Sequence, residues 1–493
     1  MLYSFHRENS QTKRGSAIIY ALVLVVVAAA IFTGIISFVI SQVRYGLSAE
    51  PKKSALQIAE AGAFFYRWHL AHEVDGKTGT EVDTYWDVAN DPMAVDDNGN
   101  GNCDDADTAD GDGGGTEWYE ADYEGIGKYR ICVRPPVSGT TIAAVYVEGW
   151  AYGHEEKMRA IEMRIRRPAW SEFAILSNDA LDLENGASDD VDIDGKVHAN
   201  SGVRFDESGI ARNTVSSSVL TYDYSGNTKD GVWTSAGDPN AVFLGGTSFP
   251  VPTQDFEAVT VAFSDIQDNA DIDYNPGKEV HITFSTETST SDNDGTVTMC
   301  QLKSNDIDSD LRITKHHFGC DTFPLGSSTA IYIGQKAYVD GELERGRKVV
   351  IATNHSGSGS DKDKIYINGD LIHEDVTSGS VLGLAAKKGV YIIDDPLSSP
   401  AVPGGGDLNS NGILDIHAAI LSQGGPFERS SSFSQMNADV NIFGAIATDN
   451  GINLNNVDDI NVIYDQRLLS TPPPYFPTGS TYLIDQWKEV EPW

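Results

Sequence analysis

The feature that most constrains this chain is a long apolar segment near its N-terminus. No charged residue lies between Gly15 and Val43, and a helix of that length can cross the hydrocarbon core of a bilayer. Basic residues precede the segment, whereas the long remainder of the chain is acidic. The positive-inside rule therefore predicts a single-pass membrane protein, with a cytoplasmic segment at 1–15, a transmembrane helix at 16–43 and an extracellular remainder.

Three interpretations of this segment remain open. The apolar core of a cleaved secretory signal is about 7–15 residues long, and this segment is roughly twice that. A plain single-pass anchor fits the length. The third interpretation is a resemblance, because basic residues followed by Gly15-Ser16 and an unbroken apolar helix resemble the leader of a type IV prepilin. That resemblance implies cleavage after Gly15, so that the mature chain begins at Ser16. The chain departs from major pilins at Tyr20, where those carry Glu, a departure that PilX-type minor pilins tolerate.

A small α+β domain is predicted for residues 44–168. Apolar residues recur at helical spacing within Ser54–Glu73, which indicates an amphipathic helix, and Pro51 should kink or break the helical rod before it. The segment Ala59–Gly62 resembles the corresponding segment of PilX-like proteins. Three alternating stretches predict the strands of a short antiparallel sheet, Tyr129–Val133, Ala143–Ala151 and Lys157–Arg166.

Composition limits the fold classes and the binding partners that are possible for this chain. The chain has 35 basic and 72 acidic residues, so its net charge is 35 − 72 = −37, which excludes binding to nucleic acid through phosphate neutralisation. Its 48 glycines favour turns and short strands over helix bundles.

A five-residue pattern recurs after residue 168, with apolar residues at both ends and Gly at its centre. Its copies are Ile193–Val197, Val339–Leu343, Ile367–Leu371 and Ile442–Ile446. Short strands with Gly at a fixed offset predict a parallel β-solenoid (β-helix) over 169–470, with an insertion at 255–328 and a Pro-rich C-terminal tail at 471–493. A β-sandwich is the alternative. The predicted fold class is thus mainly β, with one long N-terminal helix, a small pilin-like α+β domain and a solenoid.

Pieces of the distal half extend the resemblance. Residues 173–186, 194–206, 443–451 and 463–477 look like a family of PilX-like bacterial surface proteins, which join a prepilin-like N-terminus to a β-rich ectodomain. The resemblance implies a structural or adhesive role at the cell surface, as a minor pilin or a pilus-associated component. The partners it implies are the lipid bilayer, other pilins, the type IV pilus assembly machinery and a surface glycan or host-cell ligand.

Two loops carry the oxygen-rich spacing of calcium sites. In one, Gly412 permits the sharp turn and the carbonyl of Ile413 supplies a ligand, while position 12 is Ala418 and lacks the usual carboxylate. Its side-chain ligands are Asp407, Asn409, Asn411 and Asp415. The other loop, in an acidic insertion at 90–116, offers Asp96, Asn98, Asn100, Asn102, Asp104 and Asp107. Hard oxygen ligands predict structural Ca²⁺ in both loops, and a solvated acidic turn is the alternative.

The four cysteines fall into two local pairs, Cys103 with Cys132 and Cys300 with Cys320. Either pair closes a surface loop by a disulfide if the compartment is oxidising.

The alternative function is a cell-anchored polysaccharide lyase or hydrolase. Such an enzyme would need converging carboxylates on one face of the predicted β-helix. The candidates are Asp190, Asp192, Asp194, Asp340, Asp394 and Asp395. We expect most of them to be solvated, and we expect the histidines at 198, 316, 317, 355, 373 and 417 to be ordinary side chains without metal-ligand spacing. The sequence contains no serine-nucleophile, phosphate-loop or zinc-protease motif. We therefore predict that this protein is not an enzyme.

Overall fold

The structure is a computed structural model. It describes residues 13–73, 85–86, 93–94, 118–136, 142–167, 170–183, 190–254, 256, 263–286, 295–309, 311–354, 362–393, 396–398, 406–429, 438–454, 457–476 and 482–492.

The first element is a single helix, α1, which spans Lys13–Glu73 and contains Pro51. The sequence predicted that Pro51 would kink or break the rod, and the break is absent because the helix continues through it. Proline removes one backbone hydrogen bond, and the residues on either side of it, Ala49, Glu50, Lys52 and Lys53, are strong helix formers. Among the described residues, short α-helices follow at Pro239–Val242 and Phe263–Asp268.

Strands make up most of the remaining described chain. Numbered in chain order, they are β1 (Tyr119–Tyr123), β2 (Gly127–Arg134), β3 (Ile142–Ala151), β4 (Arg159–Arg166), β5 (Ile175–Ser177), β6 (Leu181–Leu183), β7 (Val191–Asp194), β8 (Val197–Ala199), β9 (Val203–Phe205), β10 (Ile210–Ala211), β11 (Val215–Ser217), β12 (Thr221–Tyr224), β13 (Asn227–Asp230), β14 (Val232–Thr234), β15 (Thr247–Ser248), β16 (Ile272–Tyr274), β17 (Val280–Ser285), β18 (Thr296–Gln301), β19 (Cys320–Pro324), β20 (Ser328–Ile333), β21 (Ala337–Leu343), β22 (Lys348–Thr353), β23 (Lys364–His373), β24 (Val381–Ala386), β25 (Gly389–Ile392), β26 (Leu414–Ser422), β27 (Phe427–Arg429), β28 (Val440–Thr448), β29 (Ile452–Asn453), β30 (Ile460–Tyr464) and β31 (Leu483–Val490).

The C-terminal half of α1 packs on a small antiparallel sheet with the strand order β1-β2-β3-β4-β31. Helix and sheet lie close together at Gly149, where an added Cβ would come within 2.4 Å of the Ala59 nitrogen. Their shared core is apolar and buried, and it includes Ile58, Ala63, Tyr66, Leu70, Ile131, Val145, Val147, Ile161, Met163 and Ile165. The helix spacing and the three strands expected after it are therefore present.

The last strand of this sheet comes from the other end of the chain. The sequence assigned 471–493 to a Pro-rich tail, but β31 pairs antiparallel with β4. Acidic side chains of β31 meet basic side chains of β4 in the pairs Arg159–Glu489 and Arg166–Asp485. This strand is almost wholly exposed and its apolar residues do not alternate with polar ones, so apolar periodicity could not predict it.

The larger region is organised in parallel ladders. One runs without interruption through β16, β20, β22, β24, β26, β28, β5, β8, β11 and β15, and every neighbouring pair in it is parallel. The chain therefore enters this ladder in its middle, at β5. From β5, successive strands are added in the direction of β15. The chain then continues at the opposite end with β16, and its later strands are added back towards the middle until β28 pairs with β5.

The sequence predicted an insertion at 255–328, but the part of this segment that lies outside the parallel ladders is shorter. Strands β16 and β17 belong to parallel ladders with β20 and β21. The excursion is formed by β18 and β19, which add antiparallel strands to β17. The Pro-rich segment lies over the outside of the main ladder, where Pro473 and Phe476 approach Gly383.

Glycines of the recurring pattern lie inside strands in three of its four copies, in β21, β23 and β28. Gly341 has φ +109°, and an added Cβ there would lie 2.2 Å from the Phe284 carbonyl oxygen. The ladder between β21 and β23 shifts register at this point. Glycine thus permits both the bend and the close approach of the next strand.

Candidate metal-binding sites

Of the two predicted calcium loops, the one at 407–415 lies within the described residues and leads into β26. Its backbone is folded around Asp407. The two carboxylate oxygens of Asp407 accept hydrogen bonds from the amides of Asn411 (3.1 Å) and Gly412 (2.8 Å). Gly412 has φ +77°, a conformation that glycine adopts without steric cost. The turn expected from its position in the sequence is present.

The remaining oxygen-bearing side chains of this loop meet at Asp415. The side-chain amides of Asn409 and Asn411 donate to Asp415 Oδ2, over 2.9 and 3.0 Å. Asn441, on the neighbouring strand β28, donates to Asp415 Oδ1 over 3.0 Å. The fold therefore brings together Asp407, Asn409, Asn411 and Asp415. The side-chain oxygen of Asn411 also accepts a hydrogen bond from the amide of Ile413, over 2.8 Å.

Asp370 is the residue of this site that the sequence analysis missed. It is fully buried, and its carboxylate accepts hydrogen bonds from the backbone amides of Leu408 (2.9 Å) and Asp415 (3.0 Å). Burial raises the pKa of Asp370 to about 6, against the opposing effect of the backbone hydrogen bonds. The available sequence signal was that Asp370 directly follows Gly369 in a copy of the recurring pattern. The strand that contains this copy pairs with β26, the strand that leaves the loop.

The other predicted positions are only partly described. The first calcium loop, with Asp96, Asn98, Asn100, Asn102, Asp104 and Asp107, lies outside the described residues, as does Cys103. Cys132 is buried in β2 and disulfide-bonded, and its partner lies outside the described chain. Gly15 and Ser16 lie at the start of α1.

Cys300 and Cys320 form a disulfide between β18 and β19, where they face each other in the ladder. The bond borders a cavity of about 480 Å³. His316, Leu408 and Asn409 also line this cavity. The disulfide and the calcium candidate thus open onto the same space.

A chain of buried polar groups leads away from this disulfide. His281 Nδ1 lies 2.9 Å from His316 Nε2, and His281 Nε2 lies 2.7 Å from Asp340 Oδ2. His281 and Asp340 are both fully buried. Asp340 is therefore an exception to the expectation that most of the candidate carboxylates are solvated, and His316, expected to be an ordinary side chain, is partly buried and hydrogen-bonded to His281. Burial and the neighbouring His281 lower the pKa of His316, which favours its neutral form.

Two other carboxylates considered for catalysis, Asp192 and Asp194, lie on the outward face of β7, and each has its own polar partner. Asp192 pairs with Arg212, and Asp194 accepts a hydrogen bond from Asn213. Asp340 accepts hydrogen bonds from Thr283 and Asn368 in addition to its contact with His281. Asp394 and Asp395 lie outside the described residues. No observation on the described carboxylates favours the polysaccharide-cleaving alternative.

No protein-family model matches this chain, and no curated protein matches it. Among solved structures, it is similar to the competence-associated pilin ComZ from Thermus thermophilus, at 13% identity and a TM-score of 0.29, with 89% of this chain and 97% of that chain covered. A likeness at this TM-score is too weak to carry an argument about function.

Proposed function

We propose that this protein is a membrane-inserted, pilin-like surface component with a structural or adhesive role. The observation that carries the proposal is the division of α1 into two halves. Its apolar side chains from Ile18 to Val43 are exposed, whereas the side chains from Ala55 to Leu70 that face the small sheet are buried. One half of the helix therefore has no protein partner within the part of the chain that the structure describes, while the other half anchors a folded domain.

The exposed half requires an apolar environment. The described chain contains one helix that is long and apolar enough to cross a membrane, and its apolar stretch is unburied. Such a surface is unstable in water, and a bilayer or the helices of other pilin-like subunits would cover it. The lipid bilayer, other pilins and the pilus assembly machinery are the partners we propose.

The charge distribution gives the proposed orientation. Arg7, Lys13 and Arg14 precede the apolar segment, and basic residues favour the cytoplasmic side. The domains after the helix then lie outside the cell. Gly15-Ser16 is the proposed cleavage site of a prepilin peptidase, which makes the chain a minor pilin or a pilus-associated component rather than a plain anchor.

The large region is proposed to be a β-solenoid that presents loops to a glycan or host-cell ligand. Support comes from the uninterrupted parallel ladder and from a contiguous apolar core contributed by nearly all of its strands. Entry and exit of the chain lie side by side, since Ser171 contacts the carbonyl of Leu468. This arrangement lets the solenoid project from the small sheet while both ends of the chain return to it.

Calcium binding at 407–415 is part of the proposal. The side chains of Asn409 and Asn411 are hydrogen-bonded to Asp415 there, and Asp407 holds the backbone of the same turn. Extracellular Ca²⁺ is concentrated enough for weak sites to be occupied. The role would be to hold a loop that has little apolar core of its own. The same role is proposed for the loop that contains Asp96 and Asp107.

Carbonate extraction of native membranes, combined with labelling of intact cells by an impermeant amine reagent, tests the proposed placement. We expect the protein to stay with the membrane pellet and to be labelled at lysines of the large region, such as Lys387. Release by carbonate, or protection of those lysines in intact cells, would contradict it.

A further inference from the structure

The hydrogen-bond chain at the disulfide fixes which nitrogen of His316 carries a proton. Asp340 is an acceptor, so the nearby His281 Nε2 donates to it, over 2.7 Å. When His281 is neutral, its Nδ1 is the unprotonated nitrogen and accepts from His316 Nε2 over 2.9 Å. The remaining nitrogen, His316 Nδ1, therefore presents a lone pair. It faces Cys320 Sγ at 3.8 Å.

This arrangement of hydrogen bonds is typical of a histidine that binds a metal through one ring nitrogen. Histidines that bind metals donate their second ring N–H to a carboxylate, a carbonyl or another acceptor, which fixes the tautomer and the ring orientation. Here the acceptor is His281, which the buried Asp340 holds in turn. Thr283 and Asn368 also donate to Asp340, over 2.9 and 2.7 Å, so the support extends through three layers of side chains.

The sulfur atoms complete the ligand set. One ligand atom each from Cys300, His316 and Cys320 lies within 4.8 Å of the other two. In a tetrahedral zinc site, bond lengths place two thiolates about 3.8 Å apart and a thiolate about 3.6 Å from an imidazole nitrogen. The distance from His316 to Cys320 already matches. Breaking the S–S bond would let the two sulfurs separate to the first of these distances, while the remaining β18–β19 pairs hold the hairpin.

We propose that reduction of the Cys300–Cys320 disulfide opens a zinc site made of both sulfurs and His316 Nδ1. A dithiol reductant supplies two electrons and two protons, the S–S bond breaks, and two thiols form while the reductant closes its own disulfide. Zn²⁺ then displaces both thiol protons, and two Zn–S bonds and one Zn–N bond form. The fourth position faces the cavity of about 480 Å³ and takes water or an outside donor. In the oxidised protein the sulfurs are not thiolates and the site is closed.

Cobalt provides the test, because Co²⁺ bound to thiolates in a tetrahedral site gives intense absorption that oxygen ligands do not. The full-length chain in detergent is titrated with Co²⁺, oxidised and after phosphine reduction, with millimolar Ca²⁺ present to occupy oxygen sites. A Cys103→Ser/Cys132→Ser background removes the other thiols. We expect one thiolate-bound Co²⁺ per chain after reduction, displaced by one Zn²⁺, and none in the oxidised chain.

Single histidine variants separate this site from adventitious thiol binding. In the reduced four-cysteine chain, which does not depend on the double serine background folding, His316→Gln should lose the site at Cys300 and Cys320. His281→Gln should weaken it about 10–100-fold by loss of the supporting hydrogen bond. The exposed His154 offers the control His154→Gln, which should bind as the parent does. Absence of thiolate–cobalt absorption after reduction, unfolding of the hairpin on reduction, or parental affinity in His316→Gln would overturn the proposal.

Discussion

The small sheet and the large ladder region join their strands in different ways. The edge of the small sheet, between β4 and β31, is held by partly exposed ion pairs such as Arg159–Glu489. In the ladder region, neighbouring strands repeat the same residue in register, as in the stack of Tyr338, Tyr366 and Tyr391, whose ring centroids lie 5.0 and 5.4 Å apart. Polar residues stack similarly, since Asn461 donates to Asn441 over 3.1 Å.

This difference means that the two regions should tolerate substitution unequally. A partly exposed ion pair exchanges protein contacts for water at little cost. A strand in the ladders contacts neighbours on both sides, and its buried positions have no room to relax. Steric changes in the ladder should therefore cost much more than charge changes at the edge of the small sheet.

The largest effect is expected for Gly341→Ala. The added Cβ would lie 2.2 Å from the Phe284 carbonyl oxygen, at a φ of +109°, so we expect a loss of at least about 4 kcal/mol in the free energy of unfolding of the ladder region. Gly346→Ala is the matched control, because Gly346 also has a positive φ, +72°, but no atom lies near its added Cβ. It should cost about 1–2 kcal/mol. Hydrogen exchange of β21 peptides in denaturant measures both, and equal costs would show that close approach is unimportant.

Calcium should give the next largest effect. A ligand at a hundredfold excess over its Kd stabilises the folded state by about 2.7 kcal/mol. We expect amide exchange of residues 407–415 to slow in millimolar Ca²⁺ and to return to its original rate after chelation. The Asp407→Asn/Asp415→Asn variant should lose this response. Asp223→Asn, which removes a carboxylate charge from an exposed turn, should keep it, and an unchanged exchange rate in the parent chain would refute calcium binding here.

Acid should destabilise the ladder region through His373. Burial, with His417 and Arg467 nearby, lowers the pKa of His373 to about 3, whereas the unfolded value is about 6.5. The unfolded state therefore takes up a proton first as the pH falls, and stability is lost below about pH 6.5. Between pH 7 and pH 5 the loss due to His373 should be about 2 kcal/mol, while proton uptake by the folded-state carboxylate of Asp370, whose pKa is raised to about 6, offsets about 1.4 kcal/mol of it. In urea titrations the stability of His373→Leu relative to the parent chain should therefore rise by about 2 kcal/mol between pH 7 and pH 5, and a difference that does not change with pH would assign the dependence to other groups.

The smallest effect is expected at the edge of the small sheet. Glu489→Lys replaces the attraction to Arg159 by repulsion, but both side chains are about one-third exposed, so the cost should be about 0.5–1 kcal/mol. The exchanged pair Arg159→Glu/Glu489→Lys should recover it. Glu156→Lys, at a 62% exposed position in a 3.8 Å pair, serves as the control and should change little. A cost of several kcal/mol for Glu489→Lys would erase the contrast between the two regions.

The sequence predicted the elements whose signal is local. The helical spacing of α1, the alternation of β3 and β4 and the turn at Gly412 are all properties of consecutive residues. Elements that depend on distant partners escaped prediction. Strand β31 carries charges that make sense only beside β4, and Asp370 and His281 gain their roles from strands paired tens of residues away. The entry of the chain in the middle of the ladder could not be read from any local pattern.

The central claim, that this is a processed pilin-like protein rather than a static anchor, is tested most directly at its N-terminus. Intact mass spectrometry of the protein from its native membrane or surface fraction would define the first residue. The proposed function predicts a mature chain that begins at Ser16. A chain that still carries residues 1–15 would contradict processing, and would leave a plain membrane anchor as the interpretation of α1.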